Sequence, residues 1–171
     1  MSHQTQVEQA SVAVLTVSDS RSRASDQSGD LIVEHLEQHG HVAASRLIVA
    51  DDAPAIAEIV KAWSDDSNVD AIIVTGGTGP SRRDVTVDAV SPLMSATLPG
   101  FGELFRHRSY EEIGPAAMLS RASAGWCDGK GGRTPIFLLP GSPAAVELAM
   151  GQLIMSQLGH LLAVCASEKA S

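Results

Sequence analysis

Short apolar, β-branched runs alternate with helical segments along this chain, and this alternation constrains its fold more than any other feature. The runs at residues 11–17 (SVAVLTV) and 70–75 (DAIIVT) predict strands that are buried on both faces. Between them, apolar residues recur at the spacing of one helix face: Ile56, Ile59, Val60 and Trp63. Such strand–helix alternation predicts an α/β fold with three layers, in which helices cover both faces of a mostly parallel sheet.

Further elements are predicted from periodicity and from Gly and Pro positions. They are a helix over 29–38, a strand over 46–49, a short helix over 115–121, an antiparallel hairpin of 122–126 with 135–139 across a turn at 128–132, and one long helix from 143 to 161. The rest of 80–121 shows no regular period. The polar residues 1–10 and 166–171 are predicted to be tails that flank a single domain over 11–165.

The acidic charge balance limits the partners to be expected. The net charge is −8, whereas nucleic-acid-binding proteins are more often basic, so we expect no nucleic-acid partner. The polar start of the chain does not resemble a signal peptide, and the apolar stretches are too short to cross a membrane. Cys127 and Cys165 form no metal-binding or disulfide pattern. We therefore expect a soluble, cytoplasmic protein with no membrane partner.

Polar loops follow several predicted strands. In doubly wound folds, ligands bind beyond the carboxyl ends of the parallel strands. The loops that end predicted strands begin at Ser18, Asp51, Gly76 and Pro140. Their convergence predicts one active site at this edge of the sheet.

The glycine-rich loop TGGTG is the first candidate for binding a ligand. Glycines after a strand allow the backbone to approach a ligand and to expose N–H groups to it, and the threonines add hydroxyls. The loop is neither a dinucleotide-binding fingerprint nor a P-loop, and a tight turn without a ligand is the alternative. The predicted phosphate-binding residues are Thr75, Gly76, Gly77, Thr78 and Gly79.

Charged residues directly after this loop form the second candidate. Arg82 and Arg83 can pair with phosphate oxygens through their guanidinium groups. Asp84 suits the same place if it holds a metal that also contacts phosphate, and Mg²⁺ prefers such a mixed set of ligands. The alternative is a solvated surface turn.

The pair Asp51-Asp52 is the third candidate. Asp52 precedes the helix that begins near Pro54, where an acidic side chain caps free N–H groups. Asp51 has no such local role, so it can share a metal with Asp84 at the same edge of the sheet. From the residues alone, both the capping and the metal-binding interpretations stay open.

Two further loops offer donors at this edge. In the segment PGSP, Gly141, Ser142 and Pro143 begin a helix whose free N–H groups attract anions, although Ser142 can also serve only as the helix cap. The polar loop after the first strand can contact a nucleotide or a pterin through Ser18, Asp19 and Ser20.

The ordered motifs TVSDSR, TGGTGPSRRDVT, LPGFGELFR, SYEEIGPAAMLSRA and LPGSPAA resemble the MoaB/Mog family of molybdenum cofactor biosynthesis, which includes the G domain of gephyrin-like proteins. The resemblance runs from about residue 12 to 162. It implies the molybdopterin-binding α/β fold and assembly into a homotrimer or homohexamer. It also implies that the product passes to the enzyme that inserts molybdate.

Active members of this family transfer AMP from Mg²⁺-bound ATP to the terminal phosphate of molybdopterin and release pyrophosphate. The resemblance implies that Asp51 and Asp84 are catalytic and bind the metal, although a shift of one residue would put Asp52 in the place of Asp51. It also implies that the molybdopterin phosphate is bound by the TGGTG loop, by Ser120 and by the PGSP loop.

The resemblance leaves other functions open. The segments LPGFGELFR and SYEEIG are closer to the MoaB branch, in which some members lack the catalytic acids. Asp51 and Asp84 are both present, which favours an active molybdopterin adenylyltransferase. The alternatives are a non-catalytic molybdopterin-binding or scaffold protein, and a different nucleotide-dependent enzyme on a related domain.

Overall fold

A six-stranded sheet forms the centre of the computed structural model, which describes residues 7–130 and 132–167. The strands are β1 (Ser11–Val17), β2 (Val42–Val49), β3 (Ala71–Thr75), β4 (Met94–Thr97), β5 (Ser123–Gly129) and β6 (Gly132–Leu139). Their order across the sheet is β2-β1-β3-β6-β5-β4. β1 pairs in parallel with β2 and β3, and β3 with β6, whereas β5 runs antiparallel to both β4 and β6.

Helices cover both faces of this sheet. The α-helices are α1 (Gln27–Gln38), α2 (Ala53–Asp65), α3 (Thr86–Val90), α4 (Pro99–Ile113), α5 (Pro143–Ala149) and α6 (Leu158–Ser167). Short 3₁₀ turns lie at Ser91–Leu93 and Gly114–Leu119. The predicted α/β fold with a mostly parallel sheet is confirmed.

The alternation of side chains along β1 explains why this strand is apolar throughout. Val12 and Val14 pack into a core shared with α1, α4 and α5. Ala13 and Leu15 point the other way, into a core shared with α2. Successive side chains of a strand point to opposite faces, so a strand covered by helices on both sides must be apolar at every position.

Two predicted elements begin earlier in the structure than expected. α1 starts at Gln27 rather than residue 29, because the Asp26 carboxylate caps it by accepting the N–H of Gly29. β2 starts at Val42 rather than residue 46. It lies at an edge of the sheet and pairs with β1 along its whole length, although several of its side chains stay exposed.

The segment between β3 and β5 is more regular than predicted. It contains α3, β4 and α4, and the helix expected over 115–121 is a 3₁₀ turn over Gly114–Leu119. α4 has no clear apolar period because its buried face includes small and polar residues. The buried residues of this helix are Phe101, Gly102, Phe105 and Ser109.

The hairpin of β5 and β6 is confirmed, but its turn is tighter than the predicted one. Gly129 pairs with Gly132, and Asp128 pairs with Arg133, so these residues lie in the strands.

The single long helix predicted from residue 143 is wrong. α5 passes into a π-helical turn at Met150–Ile154, and α6 follows at an angle of 58°. The Met155 N–H bonds to the Met150 carbonyl, and such wide turns bend helices.

The chain termini lie partly outside the described residues. Of the predicted N-terminal tail, residues 1–6 are outside them, whereas Ala10 is fully buried and donates its N–H to Nδ1 of His41. Residues 168–171 of the predicted C-terminal tail are likewise outside the described part. No single described helix has the length and hydropathy to cross a membrane, although the bent pair Pro143–Ile154 and Leu158–Ala166 meets these criteria jointly.

Candidate active site

The loops that follow β1, β2, β3 and β6 meet at the carboxyl edge of the parallel strands. The Ser18 N–H donates to the Val49 carbonyl at 2.8 Å, which joins the first two loops. The Gly76 N–H donates to the Leu139 carbonyl at 2.9 Å. These hydrogen bonds confirm that the predicted loops converge at one edge, because each bond crosses from one strand end to the next.

Two glycines shape the TGGTG loop. Gly76 and Gly77 have φ values of 100° and 68°, which residues other than glycine rarely adopt. A Cβ at Gly76 would collide with the Val17 carbonyl oxygen, and one at Gly77 would collide with Oγ1 of Thr86. The loop therefore packs against both the end of β1 and the start of α3, and only glycine fits at these positions.

The hydroxyls of Thr75 and Thr86 hold this loop in place. Oγ1 of Thr75, which is fully buried, donates to the Pro140 carbonyl at 2.9 Å. Oγ1 of Thr86 donates to the Gly76 carbonyl at 2.7 Å, and the Thr86 N–H donates to the Gly77 carbonyl. Thr78 is also buried. The Thr75 hydroxyl thus joins the glycine loop to the PGSP loop. The contact of Thr86 with the glycine loop was not identified from the sequence.

The adjacent residues Asp51 and Asp52 have different partners. Oδ1 of Asp52 accepts the N–H of Ala55 at 2.8 Å and caps α2, which confirms the predicted cap. The Asp51 N–H donates to Oδ1 of Asp19 at 2.9 Å. Oδ1 of Asp51 faces the glycine loop, 3.4 Å from the position that a Cβ on Gly77 would occupy. Of these two adjacent acids, only Asp51 therefore has its carboxylate directed into the predicted site.

The surroundings of Asp51 disfavour its negative charge. Burial raises the pKa of Asp51 above its ordinary value, and the nearby charges of Asp19 and Asp84 raise it further. The Asp19 N–H and the Arg83 guanidinium lower this pKa, but burial and the Asp19 charge have the larger effects. Asp51 and Asp84, which are far apart in sequence, are therefore close enough to repel each other. Such a site is suited to a bound cation.

Asp84 lies in the turn that follows the glycine loop. Its Oδ2 accepts the Ser81 N–H at 2.9 Å, and a Cβ on Gly79 would be only 2.7 Å from this oxygen. Arg82 and Arg83 are exposed, and Nη2 of Arg83 lies 3.8 Å from Oδ2 of Asp19. The turn after the glycine loop thus directs one carboxylate inward and leaves two cations at the surface.

The PGSP loop borders the glycine loop on the other side. A Cβ on Gly141 would lie 3.2 Å from the Cα of Gly76, so the two backbones are in close contact. Oγ of Ser142 accepts the Ala145 N–H at 3.2 Å and caps α5, in which Pro143 is the first residue. The Gly141 carbonyl accepts a hydrogen bond from Oγ of Ser28, another residue that the sequence did not indicate.

Ser18 and Ser120 mainly stabilise their own turns. Oγ of Ser18 accepts the N–H groups of Ser20 and Arg21 at 3.2 Å each. Oγ of Ser120 accepts the Ala122 N–H at 3.2 Å. The residue after Ser120, Arg121, contacts the glycine loop directly with its side chain. Its role was missed because no local spacing relates it to the loop, which lies far away in sequence.

The described residues offer two carboxylates for a metal rather than a complete set of ligands. Within residues 7–130 and 132–167, no group of three or more His, Cys, Asp or Glu side chains is arranged to hold a metal ion. A cavity of about 560 Å³ lies elsewhere, near α4 and α6, and its lining is mainly apolar. That lining lacks the charged groups that phosphate binding requires, so we place the candidate site at Asp51 and Asp84.

Comparison with known proteins identifies related chains. Residues 13–160 match the family described as "Probable molybdopterin binding domain". Molybdenum cofactor biosynthesis protein B from Staphylococcus epidermidis is 51% identical over 155 residues, which cover 88% of this chain and 86% of the relative. The protein of the same name from Bacillus subtilis is 45% identical over 157 residues, which cover 91% and 90% of the two chains.

Solved structures share both the fold and much of the sequence. A crystal structure of molybdenum cofactor biosynthesis protein B has a TM-score of 0.88 and 43% identity, and the match covers 95% of this chain and 99% of the other. The tungsten cofactor synthesizing protein MoaB from Pyrococcus furiosus has a TM-score of 0.81 and 36% identity, covering 92% and 98%. A MogA structure has a TM-score of 0.76 and 35% identity, covering 89% and 97%. The chain therefore belongs to the MoaB/Mog family of molybdopterin-binding domains.

Proposed function

We propose that this chain acts in molybdenum cofactor biosynthesis and transfers AMP from ATP to the terminal phosphate of molybdopterin, with release of pyrophosphate. The observation that supports this most directly is the position of Asp51 and Asp84, which both border the glycine loop, at Gly77 and at Gly79. Burial and the neighbouring negative charges of Asp19 and Asp84 raise the pKa of Asp51, so the site favours a cation between the loops. Reactions between anionic phosphates require such a cation.

The donor set suits Mg²⁺. This ion is bound in proteins by one or two carboxylates together with substrate phosphates and water, and Asp51 and Asp84 would be its protein ligands. When bound, Mg²⁺ neutralises phosphate charge and stabilises the leaving pyrophosphate. The lack of a third acidic or histidine ligand among the described residues agrees with a metal that is completed by ATP.

The residues of the chain act mainly by positioning and by electrostatics. The molybdopterin phosphate is already ionised, so its oxygen attacks the α-phosphorus of ATP without a general base. The bond between the α-phosphorus and the bridging oxygen breaks, and the electron pair leaves with pyrophosphate. The N–H groups of Gly77, Thr78 and Gly79 and the exposed guanidinium groups of Arg82 and Arg83 stabilise the phosphate charge.

The remaining candidate residues are assigned to binding. We propose that Ser18 and Ser20 contact a substrate beside β1, while Asp19 holds the backbone of Asp51. The PGSP loop and Ser120 border the glycine loop and contact the molybdopterin phosphate. The product then passes to the molybdate-insertion enzyme, and the chain works as a homotrimer or homohexamer.

One observation favours a second function, that of a molybdopterin-binding or scaffold protein without catalysis. The structure of a protein B, at 43% identity, resembles this chain more than the MogA structure does, at 35%. A non-catalytic protein has no need of two paired acids, and for this reason we prefer the adenylyltransferase.

Incubation with molybdopterin, Mg²⁺ and ATP labelled at the α-phosphate tests the proposal. We expect labelled AMP on the pterin, and a loss of about 100-fold or more in the rate for Asp51→Asn and for Asp84→Asn. Asp52→Asn is the matched control, because asparagine also caps helices, and it should retain the rate of the unmodified protein. Tight binding of molybdopterin without transfer by the unmodified protein would establish the scaffold function instead.

A further inference from the structure

We propose that Arg121 is a positioning residue that clamps the loop from Thr78 to Asp84 and thereby fixes the Asp84 carboxylate. The catalytic consequence of this clamp rests on the function proposed above. The clamp itself rests on the hydrogen bonds of one guanidinium group. Neither the glycine motif nor the acidic pair indicates such a role for this residue.

The side chain of Arg121 bridges three parts of the structure. Its Nε donates to the Gly79 carbonyl at 3.0 Å, and its Nη2 donates to the Asp84 carbonyl at 2.6 Å. Its Nη1 lies 3.2 and 3.0 Å from the two carboxylate oxygens of Asp88 in α3. The guanidinium thus connects the end of the glycine loop with the turn that carries Asp84 and with the helix behind it.

The backbone of Arg121 extends this connection. Its N–H donates to the Thr78 carbonyl at 2.8 Å. The segment from Thr78 to Asp84 is therefore held at its start by the backbone and at Gly79 and Asp84 by the side chain. Because the planar guanidinium presents several donors in a rigid fork, one residue can hold both carbonyls in a fixed relation.

The clamp acts on the backbone of Asp84 and leaves its carboxylate free of the guanidinium. Its carbonyl is bound to Arg121, while its Oδ2 accepts the Ser81 N–H within the same turn. The carboxylate is close to Gly79, whose carbonyl is also bound to Arg121. Without the guanidinium both carbonyls lose their donor, and the turn can move relative to Asp51.

The side chain of Arg121 is 35% exposed, whereas that of its partner Asp88 is 68% exposed. An exposed ion pair of this kind contributes little to stability. The hydrogen bonds to the Gly79 and Asp84 carbonyls are the contacts that define the loop. A substitution at Asp88 therefore removes the ion pair and leaves the two hydrogen bonds to the carbonyls in place.

Hydrogen–deuterium exchange on the unliganded protein tests the clamp. Arg121→Lys keeps the charge but cannot reach both carbonyls. We expect about ten-fold faster exchange of the amides of Ser81, Asp84 and Thr86, with amides of β3 unchanged as an internal reference. Asp88→Asn is the matched control and should exchange within about two-fold of the unmodified protein.

Kinetics of AMP transfer test the consequence for Asp84. For Arg121→Lys we expect the Mg²⁺ concentration at half-maximal rate to rise about ten-fold, a larger factor than the rise in the KM for molybdopterin, whose phosphate also contacts the PGSP loop. General destabilisation of the fold would not separate these two constants. Asp88→Asn should keep both values.

Unchanged exchange of the loop amides in Arg121→Lys would overturn the clamp. Faster exchange with an unchanged rate and Mg²⁺ dependence would show that Arg121 holds the loop without positioning Asp84, and would overturn the proposal as well. If the unmodified protein transfers no AMP, the proposed function fails by itself, and the exchange measurement still decides whether the clamp exists.

Discussion

At the scale of single residues, Asp51 and Asp52 show how two adjacent side chains of one type acquire different roles. The backbone direction at the start of α2 turns the Asp52 carboxylate back to the Ala55 N–H. The Asp51 carboxylate instead faces the glycine loop, where burial and the charges of Asp19 and Asp84 raise its pKa. A group whose surroundings oppose its charge is typical of functional sites, which tolerate local instability.

Asp51→Asn should therefore stabilise the metal-free protein at pH 7 while it lowers the rate of AMP transfer about 100-fold or more. Because the pKa of Asp51 is raised above 3.8, the native state binds this proton more tightly than the unfolded chain does. Stability then falls as the pH rises from 3.8 through the raised pKa, and stays reduced above it. Thermal unfolding should give a higher Tm for Asp51→Asn at pH 7, with the difference shrinking toward pH 3.8. A lower Tm at pH 7 would contradict this account.

Asp52→Ala should lower the stability of the protein and leave AMP transfer nearly unchanged, which is the reverse of Asp51→Asn. Loss of the N-cap costs about 1 kcal/mol, which lowers the Tm by about 2–4 °C in a chain of this size. The rate of AMP transfer should change by less than about three-fold, because this carboxylate binds the helix end rather than the substrate. Calorimetry and the transfer assay check the two parts, and a loss of transfer without a change in Tm would move the metal-binding role to Asp52.

At the scale of elements, the glycine loop depends on backbone conformations that only glycine adopts readily. Gly76 has a φ of 100° and lies against the Val17 carbonyl. Its own carbonyl is held by Thr86, the first residue of α3. The loop is thus fixed between β1 and α3, and its N–H groups keep their direction before any ligand binds.

Gly76→Ala should destabilise the protein by about 1–3 kcal/mol, because alanine is strained at this φ and its Cβ meets backbone that cannot move freely. Gly100→Ala is the matched control. Gly100 lies in the first turn of α4 with no atom within 4 Å of an added Cβ, so alanine there should stabilise by about 0.5–1 kcal/mol. Denaturant unfolding measures the free energy of unfolding of both variants. If both substitutions change it by the same amount in the same direction, the strain assigned to Gly76 is contradicted.

At the scale of the whole molecule, apolar side chains remain exposed on α4 and on the 3₁₀ turn that follows it. Tyr110 and Ile113 are each 59% exposed, and Met118 is 77% exposed. Leu104 and Leu119 are also exposed. Concentrated apolar exposure of this kind is typical of a surface that another chain covers. It supports the proposed assembly into a homotrimer or homohexamer.

Light scattering should therefore give the mass of a trimer or hexamer for the unmodified protein. Ile113→Glu and Met118→Glu should shift the mass toward the monomer, because a charge would be buried in the interface. Leu47→Glu, on the exposed edge strand β2, is the control and should keep the assembled mass. A monomer for the unmodified protein would contradict the proposed assembly.

Local patterns in the sequence determined the strands that form the sheet centre, the caps of α2 and α5, and the loops that carry Asp51 and Asp84. These features follow from side-chain periodicity and from capping, which act over a few residues. The same patterns failed at α4, whose buried face includes Gly102 and Ser109, and at the bend after α5.

Only the tertiary structure decided which carboxylate faces the glycine loop and what holds that loop. The contacts of Thr75 with Pro140, of Ser28 with Gly141 and of Arg121 with Gly79 join residues that are far apart in sequence. No local spacing records such contacts, because they arise only when the order of strands in the sheet brings the loops together. The sequence alone determined the residue types at the edge of the sheet, and the packing of the chain determined their partners.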